Sequence, residues 1–128
     1  MRKLLIVDDD EFTRTLLKTI FKDSFDITEA ENGRDLVVRA QEVRPDLIIT
    51  DIVMPVLSGY RAVGRLAREP VFRKTAVIFT SSAVSDHDLY EMYKPPQMVT
   101  GFINKPFSRS EITALAEELL EKTSDTSG

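Results

Sequence analysis

Acids, hydroxyls and a lysine follow the apolar runs of this sequence. Leu4-Leu5-Ile6-Val7 ends in Asp8-Asp9-Asp10, and Leu47-Ile48-Ile49-Thr50 ends in Asp51. Ala76 to Thr80 runs into Ser81-Ser82, and Phe102-Ile103-Asn104 into Lys105-Pro106. Carboxylates gathered at one point repel one another and are costly to take out of water. A hard divalent cation resolves that conflict. Mg²⁺ takes oxygen ligands octahedrally and keeps some of its waters, so two or three carboxylates suffice. Its open positions accept phosphate oxygens, while Lys105 adds a positive point charge and Ser81 a hydrogen-bond donor. Such a set suits phosphoryl transfer, where positioning and charge neutralisation do most of the catalysis. An aspartate can serve there as the nucleophile and form an acyl phosphate.

These residues share a site only if the runs are parallel strands ending at one edge of a sheet. The runs Leu4 to Val7, Leu47 to Ile49 and Ala76 to Phe79 are continuous, as in central strands buried on both faces. From Phe25 to Ala30 apolar and polar residues alternate, which suits a half-exposed edge strand. Helical patterns lie between the runs. Phe12, Leu16, Leu17, Ile20 and Phe21 form one face, and Leu36, Val37, Ala40 and Val43 another, closed by Pro45. A third helix is predicted from about Ser58 to Arg68. A fourth, from Ser85 to Tyr93, is the least clear and must stop at Pro95-Pro96. The last carries Ile112, Leu115, Ala116, Leu119 and Leu120, with Ser108 as its N-cap. Alternating strands and helices imply right-handed crossovers and a doubly wound α/β fold. Ligands of such folds bind beyond the carboxyl ends of the strands.

The chain has 128 residues, 42% hydrophobic and 30% charged, which fits one soluble domain. It contains no cysteine, so disulfides, zinc-thiolate sites and thiol nucleophiles are excluded. A net charge of −4 argues against direct nucleic-acid binding. No apolar run approaches a membrane span, and the N-terminus lacks a signal-peptide pattern, so a cytoplasmic protein is expected. Residues 123–128 are small and polar and read as a flexible tail or linker start after a domain at 1–122.

The motifs Ile6-Val7-Asp8-Asp9-Asp10, Asp51-Ile52-Val53-Met54-Pro55 with Gly59, Thr80-Ser81-Ser82 and Lys105-Pro106-Phe107 occur in order, each at a strand end. Together they resemble the receiver domains of two-component response regulators, over about residues 3–122. The resemblance implies a flavodoxin-like receiver fold: five parallel strands in the order 2-1-3-4-5 with five helices. It implies that Asp51 is the phosphoacceptor, and that Asp8, Asp9, Asp51 and the backbone carbonyl of Val53 hold Mg²⁺. By the same resemblance Ser81 is the switch hydroxyl, Lys105 pairs with a phosphoryl oxygen, and Phe102 is the switch aromatic. A sensor histidine kinase or a phosphotransfer protein would supply the phosphoryl group. A downstream protein partner or a fused effector domain would read the result.

Each residue also has a plainer reading. Asp10 suits a helix cap better than a ligand, Phe102 can be core, and His87 reads as a surface residue. Tyr90, Met92 and Tyr93 fit a partner patch or simple packing. Val53 and Ala83 bring apolar side chains that cannot orient a water, so a slowly hydrolysing phosphoryl group is expected. A haloacid-dehalogenase-type phosphatase would need a second acid where Val53 stands. A flavodoxin-like cofactor site would need a phosphate-cradling loop where Asp8 to Asp10 would repel the phosphate. A pseudo-receiver that binds partners without phosphorylation is the remaining alternative.

Overall fold

A computed structural model describes residues 1–125. Five strands alternate with five helices: β1 (Arg2–Val7), α1 (Glu11–Phe21), β2 (Phe25–Ala30), α2 (Gly33–Val43), β3 (Leu47–Asp51), α3 (Gly59–Leu66), β4 (Ala76–Ser81), α4 (Asp86–Tyr93), β5 (Val99–Asn104) and α5 (Arg109–Asp125). A short 3₁₀ turn, Pro70–Phe72, precedes β4. All strand pairs are parallel, in the order β2-β1-β3-β4-β5. The alternating segment is indeed the edge strand β2.

The continuous apolar runs are buried on both faces because each face has its own helix layer. Leu5, Val7, Ile48, Val77 and Phe79 pack with residues of α2, α3 and α4. Leu4, Ile6, Leu47, Ile49 and Ile78 pack with α1 and α5. Alternate side chains of one strand thus enter opposite cores, so the buried polar residues of β3 and β4, Thr50, Thr80 and Ser81, come only at their carboxyl ends.

Helix starts follow local chemistry. Asp10 caps α1, its carboxylate accepting the N–H groups of Phe12 and Thr13 at 3.3 Å. Ser108 and Glu111 form a reciprocal capping box at α5: the Glu111 N–H donates to Ser108 Oγ at 3.1 Å and the Ser108 N–H to the Glu111 carboxylate at 3.0 Å. The fourth helix forms but is short, eight residues, and ends before the Pro95-Pro96 turn.

Two expectations need correction. The apolar stripe of α1 is wider than the face it buries: Leu17 and Phe21 are in the core, but Phe12 is 76% exposed and Leu16 is exposed too. The helix is turned so that Thr13 and Arg14 complete its buried face. Arg14 can lie there because it finds partners at the end of β1 and on β2. The tail also begins later than Thr123. That residue is buried in α5, its hydroxyl donating to the Leu120 carbonyl at 2.8 Å, and the helix runs to Asp125. The rest of the expected tail, 126–128, lies outside the described residues. Among the described residues no helix is long and apolar enough to cross a membrane.

Candidate functional site

Crossovers from β1 lead first to β2 on one side and then back past β1 to β3, so the strand order reverses between β1 and β3. That reversal leaves a crevice at the carboxyl edge of the sheet. The register sets Val7 beside Thr50 and Asp51 beside Thr80, so the residues that end β1, β3 and β4 reach one level.

Carboxylate oxygens of Asp8, Asp9 and Asp51 all lie within 4.8 Å of one another there. Lys105 Nζ bridges two of them, 2.8 Å from Asp8 Oδ2 and 3.2 Å from Asp51 Oδ2. The Asp8 side chain is 2% exposed and that of Asp51 16%, whereas Asp9 faces solvent. Burial pushes the Asp51 carboxyl above its ordinary range; Lys105 pulls against this, and the charges of Asp8 and Asp9 add to it. Burial alone would lower the Lys105 ammonium, but its bond to Asp8 and the charges of Asp51 and Asp8 outweigh that and raise it. One ammonium among three carboxylates leaves the cluster short of positive charge. An all-oxygen donor set of this spacing and charge suits a small hard cation.

Backbone around the cluster is held closely. The Asp8 carboxylate accepts the Asp10 N–H at 2.9 Å. The Ile52 N–H donates to the Thr80 carbonyl and the Lys105 N–H to that of Ser81, tying the loops after β3 and β5 to β4. A Cβ at Gly59 would stand 2.0 Å from the Asp51 carbonyl oxygen, so only glycine lets α3 start this close to β3. Within the intervening loop Val56 adopts φ 72°, a left-handed conformation that β-branched residues rarely take. Val53 lies in the same loop with its side chain half exposed. The Lys105–Pro106 peptide is cis.

Ser81 is at the site's edge, but its hydroxyl is turned elsewhere. It bonds the Asp86 carboxylate and the Ala83 backbone rather than Asp51. Phe102 belongs to an aromatic group on the α4 side. Its ring centroid is 5.3 Å from Tyr90 and 5.2 Å from His87, and Tyr90 also meets Phe79 at 5.7 Å. His87 therefore does more than lie on the surface: it covers one side of Phe102. Tyr90 is buried packing, while Met92 and Tyr93 stay exposed.

Two contributors carry no signature in the sequence. Arg14 is nearly buried and donates to the Asp8 carbonyl at 2.6 Å while pairing with Glu29 at 3.2 Å. A charged residue within an amphipathic pattern reads as solvent-facing, so only the fold reveals its role. Asp86 stands beside His87 in the fourth helix, and nothing in the sequence sets it apart from Asp88. A third feature comes from the turned α1: Phe12 and Leu16 with Pro106 and Phe107 line an apolar hollow of about 280 Å³ that adjoins Lys105.

The response regulator receiver domain family is matched over residues 4–117. The chemotaxis protein CheY of Listeria monocytogenes is 38% identical over 125 residues, covering 95% of this chain and 98% of that protein. CheY of Halobacterium salinarum is 33% identical over 121 residues, covering 93% and 97%. Among solved structures, the chemotaxis response regulator CheY4 of Vibrio cholerae superposes with a TM-score of 0.82 at 26% identity, covering 94% of this chain and 99% of that one.

Proposed function

The chain belongs to the response regulator receiver domain family, and from that premise we propose that Asp51 accepts a phosphoryl group from a sensor histidine kinase or a phosphotransfer protein. The observation that carries this reading is the joining of Asp8, Asp9 and Asp51 in one cluster, with Lys105 bridging Asp8 and Asp51. Asp51 is partly buried, beside an ammonium, and reachable from the sheet edge.

In this reading Asp51 Oδ attacks the donor's phosphorus, the bond from phosphorus to the donor nitrogen breaks, and an acyl phosphate forms. Asp8, Asp9, Asp51 and the Val53 carbonyl would hold Mg²⁺, which supplies charge neutralisation for the transferring group. Lys105 leaves its bridge to pair with a phosphoryl oxygen. Ser81 swings its hydroxyl to another, and Phe102 shifts with it. The result is a change in conformational population that a downstream protein or effector domain reads. The apolar hollow beside Lys105 offers a phosphodonor protein a place to rest next to Asp51.

Intact mass after incubation with acetyl phosphate and Mg²⁺, beside an Asp51→Asn control, tests this directly. One added phosphoryl group, absent in the control and without metal, is the expected result. No addition to a folded, Mg²⁺-binding protein would overturn it in favour of a phosphorylation-independent interaction module.

A further inference from the structure

Ser81 ends β4 fully buried, so water cannot compensate its hydroxyl. A serine hydroxyl has one proton to donate. Of the two acceptors in reach, the Asp86 carboxylate and the Ala83 carbonyl, the charged one takes it more strongly. The Ala83 N–H donates to the same oxygen at 3.0 Å, which fixes the hydroxyl's orientation further. Asp86 is half-buried in the first turn of α4, where its backbone N–H donates to the Ala83 carbonyl at 3.1 Å. The side-chain bond from Ser81 to Asp86 therefore closes the β4–α4 loop on itself. His87, the next residue, and Tyr90, one turn further along α4, rest against Phe102.

We propose that Asp86 is a positioning residue that latches the Ser81 hydroxyl in its unphosphorylated orientation. This rests on the reading that Ser81 donates to the phosphoryl group on Asp51. A phosphoryl oxygen must then compete with a carboxylate for one proton. Success detaches the first turn of α4 from β4 and loosens the helix that carries His87 and Tyr90 against Phe102. Asp86 thus sets the threshold of the switch: it slows phosphorylation and couples it to α4.

The test is the rate of mass gain with acetyl phosphate at saturating Mg²⁺. Asp86→Ala should react roughly tenfold faster than the wild type, the scale of one charge-assisted hydrogen bond. Asp86→Asn, which keeps the shape of the loop and a weaker acceptor, should fall between the two, so the test stands even where the alanine variant folds poorly. Asp88→Asn removes an equal charge from the same helical turn and should change the rate little. In a Ser81→Ala background the Asp86 substitution should have no effect, since the bond it breaks is already gone. A helix-capping or general charge effect would persist in that background. The latch is overturned if both Asp86 variants react no faster than the wild type, or if the gain survives Ser81→Ala or is matched by Asp88→Asn. If Ser81→Ala itself reacts like the wild type, the proposed role of Ser81 falls and the latch with it. If Ser81→Ala is slow and the Asp86 variants are unchanged, only the latch falls.

Discussion

Replacing Asp51 by asparagine should stabilise the metal-free protein. Its carboxylate lies within 4.8 Å of those of both Asp8 and Asp9, and 3.2 Å from Lys105 Nζ. With an effective dielectric constant of about 20, each repulsion is worth about 3.5 kcal/mol or more and the attraction about 5 kcal/mol. Two repulsions against one attraction leave the Asp51 charge unfavourable by about 2 kcal/mol. Screening around exposed Asp9 reduces that figure and the burial of Asp51 restores part of it. The raised Asp51 carboxyl points the same way. Asparagine keeps an oxygen for Lys105 and removes the charge, so a gain of about 1–2 kcal/mol is expected in urea unfolding with chelator present.

Metal should reverse the order. A cation at about 100 times its dissociation constant stabilises the wild type by about 2.7 kcal/mol, whereas the variant has lost one of three carboxylates. The pH dependence has a definite sign. A carboxyl whose folded pKa is raised penalises the folded state above its unfolded value, and the penalty lifts as pH falls through the folded pKa. Without metal, the gap between variant and wild type should therefore narrow as pH drops from neutral toward the ordinary carboxylate value of 3.8. A metal-free asparagine variant less stable than the wild type, or equal stabilisation of both by Mg²⁺, would refute the electrostatic account.

Other substitutions probe the same frame. Lys105→Met should lower phosphorylation by acetyl phosphate about 100-fold, the scale of a lost charge-stabilising donor. Because the ammonium competes with a cation for Asp8 and Asp51, the same variant should bind Mg²⁺ more tightly by calorimetry; loss of both properties would point to collapse of the site. Gly59→Ala should cost about 2–3 kcal/mol in urea unfolding, since its Cβ meets backbone rather than a movable side chain. Val56→Asn should add about 1 kcal/mol by relieving a left-handed β-branched residue, and an unchanged midpoint would count against strain there. Half-exposed Val53 cannot orient a water, so the acyl phosphate should outlast a half-life of seconds in buffered Mg²⁺, followed by its mass.

Strands were legible in the sequence because a strand buried on both faces is apolar through its middle and admits polar residues only near its end. Leu4 to Val7, Leu47 to Ile49 and Ala76 to Phe79 announce themselves by continuity, and β2 by alternation. Once those runs are parallel, Asp8, Asp51, Ser81 and Lys105 must arrive at one edge, so most of the cluster follows from what ends each strand. Helix rotation was less legible. Periodicity marks the apolar stripe of α1, yet packing decides which part of it is covered, and Arg14 displaced Phe12 because its guanidinium found the Asp8 carbonyl and Glu29. Side-chain partners across loops were not legible at all. Nothing in Ser81 or Asp86 taken singly indicates that one holds the other.

Those partners say how such a switch is set. The two donors assigned to the phosphoryl group under the proposed function are both engaged within the protein. Lys105 spends its ammonium on Asp8 and Asp51, and Ser81 its proton on Asp86. Under the proposed function, neither engagement is available to a phosphoryl oxygen until it is broken, so activation would be an exchange of partners and not a filling of empty positions. Exchange keeps the net free-energy change small, because a charge-assisted bond is lost for each one gained. A small net change is what lets two populations interconvert and lets a partner bias them with modest binding energy. It also predicts where tuning is easiest: at the acceptors that hold the donors at rest, above all Asp86, whose removal leaves the phosphoacceptor cluster itself untouched.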